Sequence, residues 1–248
     1  MFQSSDTFFF DAQHLNTLAL RYRASYSSAV PFPHVIIDDF LPQEAARKLV
    51  KHYPKPDHEC WLDWKTRDTT HQPRKLGIGS AERLASVHPF IRSVLLALNS
   101  HEFVSFIECL TGTSGLIPDQ ELIGAGLHQI LPGGHLDIHA DFNRLSSRQL
   151  YRRTNAIIYL NDRWNTSYGG SLELWRNENS GPAVTVAPIF NRLIVFNTDK
   201  RSFHGHPHPL TSPEGITRKS IAIYHYSVTP WPGQEEENGT TWSTHGGL

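Results

Sequence analysis

From about residue 121 onward the sequence is a succession of short β-rich runs: "LIGAGLHQIL", "HLDIHADF", "TNAIIYLN", "SLELW", "AVTVAP", "RLIVFN" and "KSIAIYHYSV". Turn-forming stretches separate them, among them "PGG", "YGG", "NENSGP" and "TSPEGIT". Many short strands at this spacing build a sandwich or a barrel. Helical patterns precede them. "LPQEAARKLVKHY" carries Leu41, Ala45, Leu49 and Val50 toward one side. Residues 81–98 place Leu84, Val87, Ile91, Val94, Leu95 and Leu98 at helical spacing, and Pro89 breaks that run in two. "SHEFVSFIECLTG" predicts a helix with Ser100 as N-cap, Phe103, Phe106, Ile107 and Leu110 on one face, and Gly112 to end it. "HVIIDDF" reads as a strand, whereas 1–33 and the polar stretch 54–79 show no clear period. Helices first and strands after implies helices packed on the outside of a sheet. The expectation is a mainly β fold with flanking helices, in one domain over 1–248. Its helical part would span about 1–115 and its β core about 120–230, with a loosely held polar tail from about 232.

A chain of 248 residues buries a sizeable core without disulfides. A formal net charge of −1 offers no global basic field, so neither nucleic acid nor membrane is an expected partner. The longest apolar runs, "VLLAL" and "AIIYL", are too short to span a bilayer, and the N-terminus lacks the pattern of a signal peptide. Cys60 and Cys109 form no close-spaced motif; a reduced, cytoplasmic protein is the simpler expectation. Oligomeric state is not legible.

The chemistry lies in the histidines. "GGHLDIHAD" repeats one phrase, His-x-Asp, at His135/Asp137 and at His139/Asp141. On a regular strand all four side chains share a face, so parity leaves both pairs open. "FHGHPHPL" adds His204, His206 and His208, and fourteen residues past His204 comes Arg218 in "TRKSIAIYHYS". Two histidines and a carboxylate on one side of a metal, with the other side open, form the facial triad of non-haem Fe(II) oxygenases. A keto acid chelates through two open positions and dioxygen takes the third. The planar fork of an arginine suits the keto acid's far carboxylate. Ser220 shares the parity of Arg218. His206 and His208 each precede a proline and read as loop residues.

With these residues in view, the chain resembles the prolyl-4-hydroxylase-like branch of the Fe(II)/2-oxoglutarate-dependent dioxygenases. The matching phrases, in the family's order, are "FPHVIIDDFLPQEAARKLV", "LPGGHLDIHADFN", "RRTNAIIYLNDRW", "YGGSLELW", "RLIVFNT", "FHGHPHPL" and "RKSIAIYHYS". The resemblance implies a double-stranded β-helix, or jelly roll, with the metal in its mouth. The family's "PGG-x-L-x-x-H-x-D" run implies His139 and Asp141 as ligands, with His204 as the distal ligand and Arg218, helped by Ser220, as the keto-acid anchor. Position agrees, because His139 and Asp141 lie roughly 13 Å beyond the Gly133-Gly134 turn on an extended strand, where it opens into a loop. One position departs: Ile130 stands where relatives often carry a tyrosine, so His128, Asn155 or Tyr159 would supply that contact.

The implied cofactors are Fe(II), 2-oxoglutarate and O2, with ascorbate as a reductant. The implied reaction is hydroxylation of an unactivated C–H bond, with 2-oxoglutarate going to succinate and CO2. Asp141 argues against halogenation, which needs a small residue there. Prolyl-type residues, free amino acids and other small metabolites are the expected substrates. A zinc-dependent hydrolase and a non-catalytic jelly-roll binding module are the competing classes. His135 and Asp137 are expected as polar barrel residues, with a place beside the substrate space as their functional option. Arg144, Arg148, Arg152 and Arg153 read as a solvated basic loop with an arginine or two folded into structure, in preference to a lid gripping an anion. Trp61, Trp64 and Trp164 read as packing residues, and the 55–80 segment is placed to cover the mouth.

Overall fold

The computed structural model describes residues 7–62 and 70–243. Its first element, α1 (Ala12–Ser28), falls in the stretch that shows no period. Asp11 starts it, accepting from the backbone N–H of Gln13 and His14. Its buried stripe is only Leu15, Ala19 and Tyr26, too thin for a sequence pattern to reveal. Next come β1 (His34–Ile37), α2 (Gln43–His52) and β2 (Lys75–Gly77), the last a strand within the polar 54–79 stretch. Pro89 does split the following run. Residues 81–86 form a 3₁₀ turn, and α3 (Pro89–Ala97) begins at the proline, where its missing N–H costs nothing. Then α4 (His101–Thr111) follows Ser100 and ends at Gly112, whose φ of +73° closes the helix in the left-handed region.

The remaining strands are β3 (Ile117–Pro118), β4 (Gly126–Ile130), β5 (Leu136–Ala140), β6 (Arg144–Leu145), β7 (Leu150–Tyr159), β8 (Leu172–Trp175), β9 (Pro182–Val186), β10 (Arg192–Asn197), β11 (Phe203–His206), β12 (Arg218–Ser227) and β13 (Thr241–Trp242). All pairings are antiparallel. One sheet runs β1-β10-β7-β12-β4-β2, with β3 beside β12 and β6 beside β7; the other runs β13-β5-β11-β8-β9. The helices cover the outside of the larger sheet. Leu127, Ile158, Val195, Ile221 and Ile223 meet Leu49, Ile91, Val94, Phe103 and Phe106 there in one continuous core. Between the sheets, Ile194 and Phe196 pack against Leu172, Leu174 and Val186 at one end. The other end is left hollow. This is the expected jelly roll, and Cys60 and Cys109 are free within it.

Two bulges decide which residues face the hollow. On β5 and β11, His204 pairs with His139 but His206 pairs with Leu136, so Asp137 and Ile138 on β5 stand opposite the single residue Gly205 on β11. The extra residue reverses the alternation. Leu136 and His139 face inward, and Asp137 does not share their face. The expectation that residues 135, 137, 139 and 141 line one face fails here, because period-two reasoning assumes an unbroken strand. On β7 and β12 the register slips between His225 and Tyr226, which turns Arg152 toward the hollow and Arg153 away from it. The first bulge needs Gly205. A Cβ there would lie 2.6 Å from the carbonyl oxygen of Asp137 and 2.7 Å from that of Leu136.

Two further expectations are corrected. His206 is buried on β11, not in a loop; the glycine before it and the proline after it disguised the strand. His208 is exposed outside the strands, as expected. The tail is held through residue 243. Asn143 donates to the carbonyls of Gln234 and Glu236, Ser243 N–H donates to Ile138, and β13 adds an edge strand to β5. Those bonds run through backbone groups, which polar composition does not report. Gly205→Ala should therefore destabilise the protein by about 1–3 kcal/mol. A thermal melt should show a midpoint lower by roughly 2–10 °C, and an unchanged midpoint would remove the bulge from this account.

Candidate metal centre

The end of β5 and the middle of β11 bring three side chains together. His139 Nε2 lies 3.5 Å from Asp141 Oδ1, and His204 Nε2 lies 3.5 Å from Asp141 Oδ2. The donor atoms of His139, Asp141 and His204 all fall within 4.8 Å of one another. Each imidazole is oriented by its own strand. His139 Nδ1 is 2.8 Å from the carbonyl of Asp137, and His204 Nδ1 is 2.8 Å from that of Ser202. A carbonyl oxygen only accepts, so each Nδ1 carries the proton and each Nε2 presents a lone pair. Two lone pairs and one carboxylate converge, an arrangement that repels itself unless a cation sits among them. The donor set fits Fe(II), with three positions left for other ligands.

Asp141 stays ionised although buried. Burial pushes its carboxyl up, but Arg152, His204 and His139 outweigh that and hold it well below the usual carboxylate range. Arg152 Nη2 is 2.9 Å from Asp141 Oδ2. Its side chain is 1 % exposed, and its guanidinium lies 3.4 Å from the Tyr224 ring centroid and 4.9 Å from that of Phe142. Sequence reasoning missed this role; the bulge that turns Arg152 inward leaves no mark in the pattern. Arg153 stacks on Trp231 instead. Arg144 pairs with Glu237 and Arg148 with Glu121 near the surface.

The hollow is a cavity of about 360 Å³. The triad stands on the small-sheet side, and Arg218, Ser220, His128 and Asn155 line the large-sheet side. Tyr159, Ser220 and His128 form one lateral row across β7, β12 and β4. Arg218 is fixed by two hydrogen bonds, Nε to the Gly170 carbonyl at 2.6 Å and Nη2 to the Tyr159 hydroxyl at 3.2 Å. Gly170 has φ +69°, and a Cβ there would lie 2.5 Å from Leu210 and 3.0 Å from the Arg218 side chain. Of the three residues considered for the contact missing at Ile130, Tyr159 touches Arg218, while His128 and Asn155 line the cavity elsewhere. Ile130 itself is the direct strand partner of Arg218.

His135 and Asp137 are not among the cavity-lining residues described. Asp137 Oδ2 is 2.9 Å from His71 Nδ1, and its Oδ1 is 3.2 Å from His135 Nε2. His71 stacks at 4.3 Å on Trp242, which in turn lies 4.9 Å from the His139 ring. The first His-x-Asp pair thus anchors residues 70–75 beside the mouth, where Gln72 and Lys75 reach the cavity. Trp61 packs on Tyr53 and Trp164 on Tyr168, as expected. Trp64 lies outside the described residues.

Residues 125–226 match the family model described as the 2OG-Fe(II) oxygenase superfamily. The match is confined to the β-rich core, which is similar to that superfamily. No curated protein matches the chain. Among solved structures, the chain is similar to a prolyl hydroxylase from Trichoplax adhaerens in complex with a hypoxia-inducible factor peptide fragment. That match has 20% identity, covers 87% of this chain and 91% of the other, and has a TM-score of 0.62. A prolyl-4-hydroxylase from Pseudomonas putida matches at 19% identity, over 84% of this chain and 98% of its own, with a TM-score of 0.52. HygX from Streptomyces hygroscopicus, with nickel, 2-oxoglutarate and hygromycin B bound, matches at 13% identity. It covers 85% of this chain and 89% of its own, with a TM-score of 0.52. At these identities the likeness is one of fold.

Burial pushes the His204 imidazole down to about 4 and His225 down to about 3, and holds His206 well below the usual histidine range. The unfolded chain takes up these protons near pH 6.5. Between the folded and unfolded values only the unfolded state is protonated, so stability is full above about pH 6.5 and falls as pH drops. In denaturant unfolding of metal-free protein at a series of pH values, these histidines should contribute uptake of up to about three protons, offset by about one released from Asp119, which burial pushes up to about 6. His225→Phe should reduce that uptake by about one; an identical profile would contradict the burial of His225 as a neutral group.

Proposed function

We propose that this protein is a Fe(II)- and 2-oxoglutarate-dependent hydroxylase in which His139, Asp141 and His204 hold the iron. The observation that carries this reading is two imidazoles whose Nε2 atoms converge on one ionised carboxylate, in the cavity that Arg218 also enters. Iron, O2 and 2-oxoglutarate supply the oxidising power when bound, with succinate and CO2 as co-products of C–H hydroxylation. The chain's own part is placement. Arg218 keeps three N–H donors beyond those given to Gly170 and Tyr159, enough to grip the far carboxylate of the keto acid in a fork. Ser220 offers a hydroxyl beside it. Ile130, Leu136 and Leu172 line the cavity with apolar surface that keeps bulk water away from the keto acid. Ascorbate would serve as an external reductant.

The substrate is a prolyl-type residue, a free amino acid or another small metabolite. Support comes from neighbours of this fold that hold a peptide fragment and hygromycin B, and from a cavity with Ile123 exposed on its lining. A zinc hydrolase fits the geometry less well. Asp141 is the one carboxylate among the described lining residues, so no second carboxylate stands ready as a general base. A binding module has no need of an arginine held in place this firmly.

Anaerobic addition of Fe(II) and 2-oxoglutarate should produce a weak visible charge-transfer band. The band should disappear in His139→Ala and His204→Ala and survive in His135→Ala. Arg218→Ala should weaken 2-oxoglutarate by at least about thirtyfold, since it truncates one side of a buried charge pair. Loss of the band in His135→Ala alone would move the metal to the other pair. No band in the wild type, together with tight zinc binding, would favour the hydrolase.

A further inference from the structure

His206 has no role in the scheme above. It stands two residues past His204 on β11, lines the cavity and is 2 % exposed. Both of its ring nitrogens are buried without a hydrogen-bond partner among the described residues. An imidazole always has at least one N–H to donate, and burying it unsatisfied costs about 1–3 kcal/mol. The other buried histidines of this region do not share the condition, since His139 and His204 each give one nitrogen to a backbone carbonyl. His206 is thus a polar group aimed into a cavity with its partner missing.

The surroundings specify the partner's charge. Ile130 pairs with Arg218, and the Arg218 guanidinium lines the cavity with N–H donors left over after Gly170 and Tyr159. Only one carboxylate, Asp141, lines the described cavity, and Arg152 already pairs with it. The space left beside Arg218 calls for an anion with lone pairs to spare. A carboxylate held by an arginine fork still has acceptor capacity on both oxygens.

We propose that His206 is a further contact for the keto acid, its imidazole N–H donating a hydrogen bond to the far carboxylate beside Arg218. The assignment rests on the reading of this cavity as a 2-oxoglutarate site. It makes His206 a selectivity device, one that favours dicarboxylic keto acids over monocarboxylic ones.

The test is calorimetry on zinc-loaded protein, titrated with 2-oxoglutarate and with 2-oxopentanoate, in which a methyl group replaces the far carboxylate. His206→Leu should weaken 2-oxoglutarate about tenfold, and leave 2-oxopentanoate and zinc within twofold of wild type. His206→Gln, which keeps an N–H donor, should recover most of the loss. Equal 2-oxoglutarate affinity in wild type and His206→Leu would overturn the proposal. So would a parallel loss for both keto acids or for zinc, which would mark a collapsed cavity. Wild type that binds zinc but no 2-oxoglutarate would instead overturn the underlying cosubstrate reading. Should His206→Leu fail to fold, nitrogen NMR of the imidazoles in zinc-loaded wild type decides. The His206 signals must move with 2-oxoglutarate and stay in place with 2-oxopentanoate.

Discussion

The pairing of β5 with β11 is the contact on which the rest of this structure depends. It sets His139 directly opposite His204, and the same lateral row continues to Trp242 on β13 and Leu174 on β8. Directly opposed residues sit about 4.5–5.5 Å apart on an antiparallel pair, close enough for two imidazoles to share one ion. Each ring is then turned by the carbonyl two residues behind it. That device alone does not make a metal site, for His34 bonds the carbonyl of Phe32 in the same way with no metal-ligating cluster around it among the described residues. What distinguishes the β5–β11 pair is that the bulge ahead of His139 leaves Asp141 on the same side, past the strand's end, facing both rings.

Charge balance explains why the two sides of the cavity differ. At the metal end, Asp141 and Arg152 cancel, and burial favours the neutral form of His204, so a dication meets little opposing charge. At the other end the buried Arg218 guanidinium keeps N–H donors beyond those given to Gly170 and Tyr159, and a carboxylate is the complementary guest. Burying Arg152 would be costly alone. Ion pairing to Asp141 and the aromatic faces of Tyr224 and Phe142 offset that cost, and they hold the carboxylate oriented before any metal arrives. A metal and a dicarboxylic keto acid together therefore bring no net charge, and each is met by the sign it needs.

How much of this was legible in the sequence depends on the range of the physics involved. The strands β4, β5, β7, β8, β10 and β12 announced themselves through local composition, and Pro89 and Gly112 marked boundaries through backbone geometry that only those residues have. The candidate metal-binding trio came from chemistry plus a family resemblance. Residues displaced by bulges did not show. Asp137, Arg152 and His206 all sit where a one-residue register change or a Gly–Pro flank defeats the period-two rule. Helix α1 was hidden for a different reason: its buried face is a single narrow line of Leu15, Ala19 and Tyr26. The grip on the tail was hidden because Asn143 and the backbone do the holding, and neither depends on the tail's own polarity.

The two sheets divide the work according to how firmly each is backed. The large sheet, carrying Arg218, Ser220 and Tyr159, is braced by four helices and a continuous core. The small sheet, carrying the three candidate ligands, has only a minor cluster of Ile138, Ala140 and Phe203 on its outer face. Its stiffness at the metal end comes instead from rings in series. Phe196 lies 4.7 Å from His204, His204 lies 4.5 Å from His139, and His139 meets Trp242, which stacks on His71. His71 in turn is tied to Asp137, so the series closes on the bulge that set the geometry. The first His-x-Asp phrase is therefore the structural counterpart of the second: one holds residues 70–75 against the mouth, and the other presents two of the candidate ligands.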